Sequence, residues 1–450
     1  MNREDRCQQP TKDLLVIPPL PPTDLMYLAA IAEEAGCEAK IADYSLGGDL
    51  KADLEEFKPD YIVANVTTPT FKTDLEALSL AKQTLPAVKT IVKGAIFLTH
   101  NINAIYEKPF LDYVIIGEAE LALKEILEGV PDEEILGICY RKNHQGVKNA
   151  PRPFNNELDK LPFPARHLVD NTIYRRPDNG KVQAVIKVSR GCPFHCFFCL
   201  ATPVSGHNVR VRSVDNIVAE IKECVEKYKI KNFLFWSDIF DLDKKWTMEL
   251  CNRIIDEKLN ITWSANTRAD TITQDLANLM YKSGCRLMSL GVESGSQMIL
   301  DNIGKHLKLD KIREAVKILK RAKIQIYNYF VIGLPWETEE TVEETIKFAI
   351  ELDSDFISFY TATPLPGTRF YDYAMQNKLF DLTASFDSAY YYPVIRTHKL
   401  SKERVFELHK QAIKRFYLRP AYLFRTVLRL RTFAEFKNYF TAGLNLLLRK

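Results

Sequence analysis

The chain has 450 residues, 46% of them hydrophobic and 26% charged, which excludes a disordered or collagen-like polymer and allows roughly two to three domains with full cores. Its 61 basic and 58 acidic side chains leave a net charge of +3, too balanced for the molecule as a whole to bind a polyanion, so nucleic acid is not an expected partner. Met1 to Lys12 is polar where a secretory signal needs an apolar core, and no apolar run reaches the roughly 18 residues of a membrane span; a cytoplasmic protein is expected.

Residues 1–130 alternate short apolar strands with helical stretches. Strands are expected at Leu14 to Pro18, Ala39 to Asp43, Tyr61 to Val66, Thr90 to Val92 and Tyr113 to Ile116, and helices at Asp24 to Ala35 and Thr73 to Gln83. Strands separated by helices predict an α/β, flavodoxin-like, doubly wound parallel sheet. Its ligand loops would be Pro18 to Thr23, Thr67 to Phe71, Gly94 to Thr99 and Gly117 to Glu120, beyond the strand C-terminal ends. Residues 131–181 read as a proline-interrupted connector with a hairpin over Cys139 to Val147.

A second alternation fills residues 182–375, with strands at Ala184 to Val188, Asn232 to Trp236, Ile261 to Ala265, Leu287 to Val292, Ile326 to Ile332 and Phe356 to Tyr360. Six strand-helix units predict a partial (β/α)6 TIM-type barrel with functional groups at the strand C-terminal ends. Tyr327 and Tyr329 share one face of the fifth strand, so either could face a reacting centre. Residues 376–450 read as a helical, basic and aromatic extension, in which the last fifty residues hold 12 Lys or Arg against 3 Glu. Such a segment can pack on the barrel with its arginines outward or lie peripherally on an anionic membrane. The aromatic set Tyr390, Tyr391, Tyr392, Phe416 and Tyr417 reads as core packing, or as the wall of a hydrophobic substrate path.

Nine cysteines in a chain without an export signal are poor material for a disulfide framework. Three of them, Cys192, Cys196 and Cys199, follow the first barrel strand with three and then two residues between them. A structural zinc site needs a fourth ligand, for which His195 or His207 is in reach. An iron-sulfur cubane has four iron corners, so three thiolates leave one iron open to a chelating small molecule. Both metals, and three unligated buried thiols, stand as alternatives on spacing alone.

Cys192-x3-Cys196-x2-Cys199, with aromatic Phe198 before the last cysteine, resembles the signature of the radical S-adenosylmethionine (SAM) enzymes. The resemblance implies a [4Fe-4S] cluster on these three residues, a SAM molecule chelating the fourth iron, and an external reductant such as flavodoxin or ferredoxin. It also implies a small-molecule substrate that loses hydrogen to the 5′-deoxyadenosyl radical. Later strand ends are similar to the family's SAM contacts: Ser237 and Asp238 for the amino group, Arg268 for the carboxylate, Glu293 for the ribose, and the turn Gly333 to Pro335 for the adenine. The resemblance assigns no general acid or base.

An α/β layer ahead of such a barrel resembles the cobalamin-binding subgroup, which includes radical methylases, a magnesium-protoporphyrin cyclase and hopanoid-modifying enzymes. The matching pieces are Pro19 and Leu20, Thr67 and Thr68, Gly94, and Gly117 and Glu118. The Asp-x-His-x-x-Gly element is absent and His100 is the only histidine before residue 144, so the resemblance implies cobalamin without a histidine ligand. The expected activity is cobalamin-dependent methylation, or a related carbon-centred modification, of a lipid or tetrapyrrole. Alternatives are oxidative cyclisation or rearrangement after loss of cobalamin, and a non-catalytic iron-sulfur scaffold or electron-transfer protein. A methylthiotransferase would need a second cluster on Cys7, Cys37 and Cys139, whose surroundings do not resemble that family's motifs.

Overall fold

A computed structural model describes residues 20–176, 180–380 and 393–429. The expected strand Leu14 to Pro18, Pro19, and the aromatic run Tyr390 to Tyr392 lie outside these residues.

The N-terminal layer opens with α1 (Thr23–Glu34) and α2 (Leu50–Phe57), then alternates β1 (Tyr61–Asn65), α3 (Phe71–Thr84), β2 (Lys89–Lys93), α4 (Asn101–Glu107), β3 (Tyr113–Ile115) and α5 (Glu120–Leu127). The strands β1, β2 and β3 lie side by side and parallel. Successive side chains of a strand leave opposite faces. Ile91 and Ile115 therefore join Tyr27, Leu28, Ile31, Leu123 and Ile126 of α1 and α5 on one side. Val92 and Val114 join Leu75, Leu78, Ala104 and Ile105 of α3 and α4 on the other, which makes the sheet doubly wound as expected.

Two local expectations differ. Ala39 to Asp43 carries no strand among the described residues. The hairpin, expected inside the connector, belongs to the sheet: β4 (Ile138–Lys142) pairs antiparallel with β3 and β5 (Gln145–Lys148) with β4, so the sheet is mixed. Asn143 and His144 both take positive φ at its turn, as a tight hairpin requires. Ile138, Cys139 and Tyr140 are buried by this pairing, which also covers the edge that β3 would otherwise expose.

The second unit runs β6 (Ala184–Lys187), β7 (Ser189–Arg190), α6 (Ala201–Ser205), β8 (Arg210–Val211), α7 (Val214–Glu226), β9 (Asn232–Trp236), α8 (Lys244–Asp256), β10 (Thr262–Thr267), α9 (Gln274–Lys282) and β11 (Cys285–Glu293). It continues with α10 (Gln297–Asn302), α11 (Leu309–Arg321), β12 (Gln325–Ile332), α12 (Glu339–Leu352), β13 (Phe356–Thr361), α13 (Arg369–Gln376), α14 (Lys402–Tyr417) and α15 (Pro420–Arg429). The strands β6, β9, β10, β11, β12 and β13 are neighbours in that order, every pair parallel, which is the expected partial barrel. Phe233, Phe235, Trp263, Met288, Leu290, Ile326, Phe330 and Phe359 form the core beneath the helices. The alternate residues face inward and are more polar. Tyr327 donates to or accepts from Ser358 (2.7 Å), and Tyr329 donates to Ser289 (3.4 Å). Beyond β13 the hydroxyl of Tyr417 accepts from Ile357 N–H (3.0 Å) and donates to Ile357 C=O (2.6 Å), so α14 closes the last strand edge.

A buried charged cluster ties the connector to the barrel. Glu220 of α7 is fully buried between Arg166 of the connector and Arg212 after β8, each at 2.5 Å. Burial opposes its charge, but Arg212 and Arg166 outweigh burial and hold its carboxyl below the usual range. Arg212 also reaches the Tyr27 hydroxyl of α1 (3.5 Å). Removing one partner of such a cluster strands the rest in a dry interior. Glu220→Ala is therefore expected to destabilise the fold by about 3–5 kcal/mol in urea titrations at neutral pH; a loss below about 1 kcal/mol, the level of an exposed pair, contradicts this account.

Candidate functional site

The cysteine loop begins where β7 leaves the barrel. Gly191 takes φ +98°, and a Cβ there would collide with the Asn208 carbonyl, so the close approach of these two backbones needs glycine. Its N–H donates to the Asp238 carboxylate (3.0 Å). Phe197 N–H donates to the Ile303 carbonyl after α10 (2.9 Å), and the Phe197 carbonyl accepts from Phe370 N–H of α13 (3.0 Å). The Phe197 ring packs on Trp336, Phe370 and Tyr373. Main-chain bonds and one phenyl ring thus hold the loop.

Cys192 is buried, while Cys196 and Cys199 are half-buried. Ile239, Ala201, Phe194 and Leu242 surround them. Burial pushes the Cys192 thiol up and the Cys199 thiol up to about 12, and the three sulfurs are near enough to act on one another electrostatically. Ala201 N–H donates to Cys199 Sγ (3.4 Å), the kind of bond that tunes a cluster sulfur. Among the described residues no three His, Cys, Asp or Glu side chains converge closely enough for a single metal ion. His195 and His207, the zinc alternatives, face each other at 3.1 Å and are exposed. Three soft thiol donors beside an apolar shell are the donor set that suits an iron-sulfur group.

The expected SAM contacts stand around this loop. Ser237, after β9, is buried and its Oγ has no hydrogen-bond partner among the described residues, an orphan that a ligand's polar group would satisfy. Arg268, after β10, sets its guanidinium carbon 3.8 Å from the ring centroid of Phe194 of the loop, donates to Asp270 (3.0 Å), and donates to the Lys305 carbonyl (3.0 Å). Glu293 ends β11 at φ +69° beside a register shift, and its carboxylate pairs with Lys305 at 2.7 Å. Phe198 packs against the barrel core.

The N-terminal rim faces the same loop. Thr67 and Thr70 exchange hydrogen bonds in a capping box, with Thr67 and Thr68 buried. At Gly94 a Cβ would strike the Val66 carbonyl, so β1 and β2 meet there backbone to backbone. Gly117 takes φ +88° with open space beside it. Leu20 is half-buried at the start of the described chain. The Gly94 to Thr99 loop is brought to the cysteine loop, since Leu98 and Leu200 both stand 3.7 Å from where a Cβ on Gly367, in the turn after β13, would lie. Glu118 is instead engaged by arginines: its carboxylate pairs with Arg190 (3.1 Å) and Arg210 (2.9 Å).

Sequence reasoning missed Glu337. Its fully buried carboxylate accepts from Gly333 N–H (2.6 Å) and Leu334 N–H (3.0 Å), shaping the expected adenine turn, which Pro335 continues. An acid four residues after Gly333, just before a helix cap at Thr338, was the available signal. Burial raises the Glu337 carboxyl to about 8, against the two N–H donors. A raised carboxyl favours the fold fully below its ordinary value and loses that advantage as pH climbs toward about 8. Glu337→Gln should therefore flatten the fall of Tm between about pH 5 and pH 8, measured by thermal scans; parallel curves for variant and unmodified protein contradict the assignment.

Comparison with known proteins agrees with this geometry. Residues 186–349 match the model of the radical SAM superfamily, and residues 18–127 match that of the B12 binding domain. An uncharacterized methyltransferase of Pyrococcus horikoshii is 33% identical over 92% of this chain and 94% of its own length. The anaerobic magnesium-protoporphyrin IX monomethyl ester cyclase of Cereibacter sphaeroides is 25% identical over 89% of this chain and 68% of its own. The solved cobalamin-dependent SAM radical enzyme OxsB superposes with a TM-score of 0.76 at 15% identity, over 96% of this chain and 70% of that one, a likeness of fold. The chain belongs to the cobalamin-binding branch of the radical SAM superfamily, whose members are enzymes with a [4Fe-4S] cluster, SAM and cobalamin as cofactors.

Proposed function

We propose that the protein is a cobalamin-dependent radical SAM methyltransferase acting on carbon of an apolar, ring-bearing small molecule, a tetrapyrrole or lipid. One observation carries the site assignment: three thiols sit on a backbone-pinned loop tied through Gly191 N–H to Asp238, the neighbour of Ser237, whose buried hydroxyl lacks a partner among the described residues. In this reading Cys192, Cys196 and Cys199 hold the cluster. When bound, the cofactors supply reductive cleavage of SAM to methionine and a hydrogen-abstracting 5′-deoxyadenosyl radical, together with methyl transfer through cobalamin.

The chain's own groups bind and orient. Ser237 and Asp238 hold the SAM amino group, and Arg268 offers its guanidinium to the carboxylate. Glu293, steadied by Lys305, takes the ribose hydroxyls, while Gly333 to Pro335, shaped by Glu337, receive the adenine. Thr67, Thr68, Gly94 and Gly117 line the cobalamin rim. His100, the one histidine near it, is exposed beside Phe71, and the reading keeps cobalamin without a histidine ligand. A flavodoxin or ferredoxin supplies the electron.

The substrate class rests on the inward barrel face, where Tyr327, Tyr329, Tyr360 and Phe356 pack ring to ring. Similarity to a magnesium-protoporphyrin cyclase favours a tetrapyrrole. Anaerobically reconstituted protein should hold about four iron and four sulfide per chain, show a cobalamin spectrum, and release 5′-deoxyadenosine from SAM on reduction. Alanine at all three cysteines should abolish iron binding and 5′-deoxyadenosine together; a cluster retained in that variant overturns the assignment.

The C-terminal helix supports membrane contact. Among the described residues no helix is long and apolar enough to cross a membrane. Arg419, just before α15, and Arg425 on it turn inward to Asp353 (3.3 and 3.1 Å), while Leu423, Phe424, Val427 and Leu428 are 47 to 70% exposed. These two arginines, expected outward, are thus turned in, and the exposed side chains form an apolar stripe. Vesicles containing anionic lipid should float the full chain, and Phe424→Ser with Leu428→Ser should reduce flotation at least about tenfold; equal flotation removes membrane contact from the account.

A further inference from the structure

The cysteine loop is closed at its base by a short antiparallel ribbon. Arg190 of β7, two residues before Cys192, pairs in register with Arg210 of β8, so the loop leaves and re-enters through these two arginines. Both side chains leave the barrel and meet the acidic turn of the N-terminal layer. Arg190 pairs with Glu120 at 2.5 Å and with Glu118 at 3.1 Å; Arg210 pairs with Glu118 at 2.9 Å. All four side chains are at most 12% exposed. Burial opposes the charge on Glu120, but Arg190 outweighs it and holds the carboxyl down to about 2. Arg210 is further fixed by the Asn155 and Ser205 carbonyls (2.7 and 2.6 Å) and by the Phe154 ring.

Two positive and two negative charges, nearly dry, are matched across one seam. A few atoms along the chain on either side stand the first cluster cysteine and the Gly117 rim. A second buried group repeats the device: Asp24 at the start of α1 pairs with Lys93 at the end of β2 (3.1 Å) and with Lys187 at the end of β6. Buried pairs of this kind add little net stability, since desolvation offsets attraction, yet they tolerate only one relative placement of their partners. We infer that Arg190 and Glu120 are positioning residues that set the spacing between the cysteine loop and the cobalamin rim, so that methyl transfer depends on them and cluster assembly does not. This rests on the cobalamin reading above.

The test uses full-length, reconstituted protein with hydroxocobalamin, SAM and titanium(III) citrate. Titanium(III) reduces the corrinoid by two electrons; the methyl–sulfur bond of SAM then breaks, methyl passes to cobalt and S-adenosylhomocysteine leaves. In Glu120→Gln and Arg190→Lys, iron and cobalamin content should match the unmodified protein, and 5′-deoxyadenosine should still form. Single-turnover release of S-adenosylhomocysteine should fall at least about tenfold, as a displacement of about 1 Å can cost up to about a hundredfold. Electron paramagnetic resonance should show the magnetic coupling between cob(II)alamin and the reduced cluster weakened or broadened. A lowered Tm with unchanged coupling and unchanged S-adenosylhomocysteine release would mean that the pairs only stabilise the fold, and would overturn the inference. Unmodified protein that retains no cobalamin would overturn this inference and the cobalamin reading together.

Discussion

Two α/β units here present the same, C-terminal, ends of their parallel strands to each other, and buried opposite charges between them keep those ends face to face. Each ion removed from water costs several kcal/mol before its partner repays it. Asp24, Glu118 and Glu120 of the N-terminal layer are matched by Lys187, Arg190 and Arg210 of the barrel, so the cost is met when the two units dock as they do. In any other placement a charge is left dry and alone. The interface therefore specifies arrangement more than it adds strength, and the rim loops and cysteine loop inherit that arrangement.

Within the site, main chain and side chain divide the work. Gly191, Phe197 and Cys199 fix the loop through their backbone groups, and the Phe197 ring anchors it among Trp336, Phe370 and Tyr373. Of the three sulfurs only Cys199 Sγ receives a backbone bond, from Ala201 N–H, and all three remain available as donors to a metal. Glu337 does the same for the turn beyond β12, spending a buried carboxylate on two backbone N–H groups so that Gly333 to Pro335 keep one shape. The loop and the turn are thus shaped mainly by backbone hydrogen bonds.

What was legible in the chain was its local rhythm. Asn232 to Trp236 matches its strand to the residue, and α1 and α3 begin and end within about two residues of the helices expected at Asp24 to Ala35 and Thr73 to Gln83, because apolar periodicity marks them. The cysteine spacing likewise declares itself locally. What was not legible depends on partners distant in sequence. Nothing near residues 138–148 says that the hairpin joins β3, and nothing near Glu118 says that it meets Arg190 and Arg210 across the interface. Glu120 and Asp24 look like ordinary first-turn acids of α5 and α1, and only the fold brings arginine and lysine to them. The inward turn of Arg419 and Arg425 has the same origin, since Asp353 lies more than sixty residues earlier.

The central claim is that three cysteine sulfurs leave one iron of a cubane open for the amino and carboxylate groups of SAM. Electron-nuclear double resonance on the reduced protein with SAM labelled by 15N at the amino group and 17O at the carboxylate tests it most directly. Hyperfine coupling from both labels to the cluster is the result this account predicts. A reduced cluster that shows neither coupling with SAM bound, or a saturated tetrahedral metal in its place, would contradict it.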